Sequence, residues 1–179
     1  MNVRKMVQCA LFAALLALCA WISIPAGEIA FTLQTFGICL TLELLGGRRG
    51  SAAIAVYLAM GAVGLPVFTG FRGGIGMLLG TTGGYLAGFL ATGLIYWLIT
   101  ALFGGRPWAR LLGLVLGLLT CYGIGTIWFS RVYLQGGHTM TLAAVLAKCV
   151  LPYLLPDGIK LWLAWILSRR LRILKEFSA

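Results

Sequence analysis

Long apolar runs, broken at intervals by short basic clusters, leave this chain few ways to fold. Ten of its fourteen Lys and Arg residues fall in four groups: Arg4/Lys5, Arg48/Arg49, Arg106/Arg110 and Arg169/Arg170/Arg172/Lys175. The stretches between the groups are continuously apolar and do not alternate, which favours helices over a β-barrel. The chain is 61% hydrophobic and 10% charged, whereas soluble domains are about a quarter charged. At ~20 residues per crossing, 179 residues make one integral membrane domain over 1–179. The basic groups can all lie on one side if the chain crosses six times with both termini in the cytoplasm. The net charge of +10 then reports orientation in a lipid bilayer, and no nucleic-acid partner is expected. The fold class expected is all-α: a polytopic membrane protein of six transmembrane helices with irregular outer loops.

Spans are expected at about 6–24, 34–47, 51–65, 82–103, 110–133 and 156–172. The first is signal-like in shape, but six-span charge parity needs it, so it is read as a retained helix. The second and third are short, so irregular backbone should flank them. Pro25-Ala26-Gly27 breaks the first span, and 28–34 is extended or irregular. The glycine-rich stretch 66–84 is a tight outer loop able to lid a cavity. Gly76, Gly80, Gly84 and Gly88 equally suit close helix packing, and the two readings can hold in different halves. Gly113/Gly117 offer another close-contact face, and Gly123 and Gly125 can bend the fifth span. A polar turn, 135–139, precedes a re-entrant or interfacial piece at 140–151, because Pro152 and Pro156 argue against one unbroken helix. Glu43, one turn before Arg48/Arg49, is expected to pair with them. In the first span Ala10/Ala14 and Ala13/Ala17 form small-xxx-small stripes that allow close approach of another helix, either internal or of a separate subunit.

The chain has only four acids, and one of them, Asp157, lies three residues before Lys160 where the last apolar stretch begins. Ionisable groups at membrane depth mark functional sites by default, and positions i and i+3 share a helix face. Both can therefore point into one cavity fit for a small polar ligand, with a private ion pair as the bland alternative. Placed just after Pro156, Asp157 should sit in the first turn of the final helix, where the dipole favours its anion. Arg72, Thr82 and Tyr85 are within reach of such a cavity.

No enzyme is expected. His138 is alone, the five cysteines have no paired or metal-ligand spacing, and no Gly-x-Ser-x-Gly, His-Glu-x-x-His or nucleotide-binding motif occurs. No cofactor is read either, and no filter-like motif suggests a channel. A ligand-free membrane scaffold is the rival of a different class.

Four segments in order carry a family resemblance: Phe31-Thr32-Leu33-Gln34-Thr35-Phe36-Gly37, Gly64-Leu65-Pro66-Val67-Phe68, Gly80-Thr81-Thr82-Gly83-Gly84-Tyr85-Leu86-Ala87-Gly88-Phe89, and Asp157-x-x-Lys160. Together they resemble the BioY family, the biotin-specific substrate-binding (S) components of energy-coupling-factor (ECF) transporters. The resemblance implies six helices and biotin as ligand, with another small vitamin as the alternative. It also implies docking on a transmembrane coupling subunit with two ATPases, and it leaves self-association open. Asp157 and Lys160 match the family's acidic and basic ligand positions. Tyr85 and the loop around Thr82 match its outer lid, and the 25–34 loop, ending at Gln34, would close the pocket. Ala10 and Ala14, with Ala13 and Ala17, would form the docking face. Pro156 and Thr81 depart from the residues the family commonly has there.

Overall fold

The computed structural model describes residues 3–25, 29–135 and 142–177. Eight helices and one short hairpin make up these residues. Four stretches are long and apolar enough to cross a membrane: Val3–Trp21, Gly83–Leu102, Pro107–Gln135 and Ala144–Leu171. Ala26, Gly27, Glu28, His138 and most of the 135–139 turn lie outside the described residues, as do the side chains of Arg172 and Lys175.

Helix α1 (Val3–Trp21) is built almost wholly of alanine, leucine and other good helix formers in its apolar part. At its end Trp21 donates its indole N–H to the Pro66 carbonyl at 2.9 Å and stacks on Phe71 at 4.8 Å. Strands β1 (Ser23–Ile24) and β2 (Phe31–Thr32) pair antiparallel, Ser23 opposite Thr32. This gives the expected extended segment a defined register. Helices α2 (Gln34–Leu45) and α3 (Gly47–Ala62) hold 12 and 16 residues and are joined at Gly46. The φ there is +77°, a conformation glycine adopts without steric cost.

That turn corrects the expected pairing of Glu43. Arg48 and Arg49 open α3 on its exposed side, whereas Glu43 is fully buried and forms its ion pair with Arg110. Sequence proximity misleads here because the chain reverses between the acid and the two arginines.

The glycine-rich stretch is not one loop. Phe68 and Arg72 form a β-bridge, and Ile75–Leu79 makes a short helix, α4. In its second half Gly84 and Gly88 sit against Trp128 and Cys121, where an added Cβ would come within 2.2 and 2.7 Å of those side chains. Gly76 faces open space. The loop reading therefore holds for the first half and the packing reading for the second. Helix α5 (Gly83–Leu102) lies along α6 (Pro107–Gln135) in the most extensive helix contact of the fold. Thr92 donates across it to the Gly117 carbonyl at 2.9 Å. Gly104 and Gly105, both at positive φ, turn the chain. Pro107 then starts α6, where a missing N–H is harmless.

Helix α7 (Leu142–Cys149) is separated by one residue, Val150, from α8 (Leu151–Phe177). The expected break at Pro156 is thus corrected: α8 starts five residues earlier and runs through that proline. Pro152 occupies the first turn, where it removes no helical bond. Pro156 removes only the bond to the Pro152 carbonyl, a loss that neighbouring helices tolerate in membrane proteins. Asp157 therefore lies beyond the first turn, away from the free amides expected to hold it.

The main core cluster runs from α1 across α2, α3, α5, α6 and α8, including Leu16, Ile38, Tyr57, Phe89, Leu114 and Ala164, with smaller clusters around Ala53 and Phe129. The α1 stripes divide around it. Ala13 and Ala17 are buried in this core, while Ala10 and Ala14 are exposed beside Val7, Leu11 and Leu18. Ala13 and Ala17 are therefore internal packing residues, which corrects their assignment to a docking face. Their spacing turns them about a sixth of a helix circumference away from the exposed pair.

Candidate functional site

At the hairpin end of the bundle the helices leave a cavity of about 700 Å³, within the range of roughly 300–1,000 Å³ that small-ligand pockets occupy. Its walls come from the β1–β2 hairpin, the 68–72 bridge, the α4–α5 turn and helices α2, α5, α6, α7 and α8. All six expected ligand residues, Gln34, Arg72, Thr82, Tyr85, Asp157 and Lys160, line it.

One end is ionic. Lys160 Nζ donates to Asp157 Oδ1 at 2.8 Å, so the two charges are paired. Space remains beside them all the same, because both side chains border the cavity. Tyr122 of α6 completes the group, its hydroxyl donating to Asp157 Oδ2 at 2.5 Å. A carboxylate with one donor on each oxygen still has lone pairs to offer, and bonds to a charged acceptor are roughly twice as strong as neutral ones.

A second polar end forms around Gln34, which is buried at the start of α2. Its amide N–H donates to Tyr57 Oη at 2.8 Å. Its carbonyl oxygen accepts from Thr32 at 3.1 Å and from Thr69 at 3.3 Å. The hairpin, α3 and the 68–72 bridge thus fix one side chain between them. Arg72 lies exposed at the rim, and among the described residues no carboxylate is within ion-pair range of it. Between the ends the wall is apolar, with Phe68, Leu86, Phe89 and Leu118.

Tyr85 stands on α5 with its ring over Gly125, where a Cβ would come within 2.3 Å of the ring. Gly125 therefore makes room for Tyr85, and α6 remains one continuous helix through it. The Tyr85 hydroxyl faces Thr126, but the two make no hydrogen bond of ordinary geometry. Thr82 caps α5 by position, its carbonyl accepting the Tyr85 and Leu86 amides. Tyr153 of α8 closes the hairpin onto the bundle, donating to the Ile29 carbonyl and stacking on Phe31 at 4.3 Å.

Sequence reading missed Tyr122, Tyr153 and Tyr57. Each is a tyrosine inside an apolar helix, a weak signal because such residues as often simply pack.

The sequence model of the BioY family matches residues 1–176. The chain belongs to the BioY family. It is 34% identical over 172 residues to the biotin transporter BioY of Thermotoga maritima, covering 96% of this chain and 98% of that protein. It is 40% identical over 122 residues to the biotin transporter BioY2 of Lactococcus lactis, covering 68% of this chain and 66% of that one. The crystal structure of the S-component for biotin from an ECF-type ABC transporter superposes with a TM-score of 0.81 at 28% identity. That match covers 95% of this chain and 91% of the other. Family membership thus places a cavity bounded by Asp157, Lys160 and Tyr122 in a family whose members named here are transporters.

Proposed function

We propose that this chain captures biotin from the outer side of the cytoplasmic membrane and serves as the S component of an ECF transporter for its uptake. The observation that carries the reading is the Asp157–Tyr122–Lys160 group facing a cavity of about 700 Å³ in a chain of the BioY family. Biotin presents two ureido N–H donors, a ureido oxygen, an apolar thioether ring and a carboxylate. Asp157 accepts from the ureido N–H groups, and the apolar wall of Phe68, Leu86 and Phe89 encloses the ring. Lys160 is already neutralised by Asp157. The guanidinium of Arg72, with no carboxylate in ion-pair range among the described residues, is accordingly the better partner for the ligand carboxylate.

In this reading α2 and α3 are the two short crossings of a six-span bundle, and both termini are cytoplasmic. Nothing in the chain resembles a nucleotide site, so a coupling transmembrane subunit and two ATPases supply the energy. Ala10 and Ala14, on the exposed face of α1, are the contact with that coupling subunit.

Titration calorimetry of the purified protein with biotin tests the ligand. Saturable tight binding is expected, weakened at least about tenfold, or ~1.4 kcal/mol, by Asp157→Asn. Absence of biotin binding, or tighter binding of another vitamin, overturns the biotin assignment. Labelled-biotin uptake by cells with and without the coupling module tests the transport step.

A further inference from the structure

At the end of the bundle remote from the cavity, one carboxylate gathers groups from three helices onto its own. Glu43 of α2 is fully buried. It accepts from the Arg110 guanidinium of α6, from the Tyr96 hydroxyl of α5 at 2.9 Å and from the Ser168 hydroxyl of α8 at 3.3 Å. Arg110 also lies over the Trp165 ring of α8, 5.2 Å from its centroid. None of these residues borders the cavity.

The same four helices build the ligand site. Gln34 comes from α2, Tyr85 from α5, Tyr122 from α6, and Asp157 and Lys160 from α8. Glu43 is nine residues along α2 from Gln34, and Tyr96 eleven along α5 from Tyr85. Arg110 and Tyr122 are twelve apart in α6, and Asp157 and Ser168 eleven apart in α8. At 1.5 Å rise per residue, the two polar groups are about 14–18 Å apart on every one of the four helices. Between them the packing is mostly apolar, through Ile38, Phe89, Leu118 and Ala164, and the Thr92–Gly117 hydrogen bond there ties only α5 to α6.

Apolar contacts are not directional, so they resist small axial slips of a helix only weakly. A fully satisfied polar network is directional and specifies one arrangement. Nor does stability by itself require a buried ion pair, since a well-packed apolar replacement is often as stable. We propose that the Glu43–Arg110–Tyr96–Ser168 network is a positioning device for the ligand site. It sets the axial register of α2, α5, α6 and α8 and thereby the spacing of Gln34, Tyr85, Tyr122 and Asp157. The proposal rests on the biotin reading only for the identity of the ligand.

The test uses the full chain in lipid nanodiscs, as wild type, as Glu43→Gln, and as the paired apolar replacement Glu43→Leu/Arg110→Met combined with Tyr96→Phe, which removes the hydroxyl that would otherwise lose its acceptor. Three quantities are measured: the thermal midpoint, the biotin Kd, and amide hydrogen exchange in peptides covering 118–124 and 153–160. Glu43→Gln should weaken biotin binding about tenfold and speed exchange in those cavity peptides about tenfold. The paired replacement leaves no buried charge unpaired, so it should regain the wild-type midpoint while keeping both defects. If affinity and exchange return to wild type together with the midpoint, the network is structural only and the proposal fails. Should Glu43→Gln not fold, the paired replacement decides alone. Should wild type bind no biotin, the biotin reading falls, and the exchange rates still decide the positioning role.

Discussion

Tyr122 and Asp157, 35 residues apart in the chain, meet through a hydrogen bond of 2.5 Å. The phenol comes from the middle of α6 and the carboxylate from the first half of α8, so the bond aligns two helices as well as one acceptor. Together with Lys160 it leaves Asp157 with a donor on each oxygen, and the carboxylate is held still before a ligand arrives. Tyr122→Phe keeps the ring and removes only the donor. A hydrogen bond to a charged group contributes about 1.5–3 kcal/mol, so biotin affinity by calorimetry should fall roughly tenfold or more. Unchanged affinity would show that Lys160 alone orients the carboxylate.

The hairpin is tied down at one point by Tyr153, whose hydroxyl donates to the Ile29 carbonyl. Tyr153→Phe preserves the stack on Phe31 and loses the bond. A net loss of about 1 kcal/mol should appear mainly as faster ligand release, roughly fivefold. Stopped-flow competition with unlabelled biotin measures it. A slower on-rate with unchanged release would instead make Tyr153 an entry residue.

Arg72 stands at the rim, exposed and without an anionic partner among the described residues. Arg72→Gln should weaken biotin severalfold but leave the affinity for biotin amide, which lacks the negative charge, near wild type. The wild-type preference for biotin over the amide should also shrink with added salt, because an exposed charge is screened within about 8–10 Å. Equal losses for both ligands would remove Arg72 from carboxylate recognition.

The two alanine stripes of α1 predict opposite outcomes for the same substitution. Ala14 is exposed, so Ala14→Trp should leave biotin binding intact and abolish co-purification with a coupling subunit, and uptake with it. Ala13 has no exposed surface. A tryptophan there overpacks the core, where even added methylenes cost about 1–3 kcal/mol, and folded protein should be lost in size-exclusion profiles. Retained docking in Ala14→Trp would move the contact face elsewhere.

How much of this was legible in the sequence depended on the range of the interaction. Asp157 and Lys160 stood out because charge in an apolar run is rare, and their three-residue spacing already put them on one face. Thr82 and Tyr85 follow from their place at the end of the glycine-rich stretch, and Gln34 from a family pattern that is itself a string of local motifs. Nearness in sequence points Glu43 to Arg48/Arg49. Gly46, at φ +77°, turns those arginines outward, and the true partner arrives from α6, 67 residues away. Pro156 reads as a stop because an isolated helix would lose stability there, but packing of α8 against the bundle carries the helix through.

By itself the sequence determined a membrane-embedded helical chain, the approximate place of most helices, and one pair of charges that had to be near each other. Those properties follow from transfer to lipid and from helical period, which act over a few residues. Only the tertiary structure decided what the charges do. It set Tyr122 against Asp157, kept open space beside an ion pair that would otherwise satisfy itself, buried one alanine stripe and exposed the other. It also gathered three helices on Glu43 of a fourth. Each of these depends on which helix lies beside which, and that is settled by packing across the whole bundle.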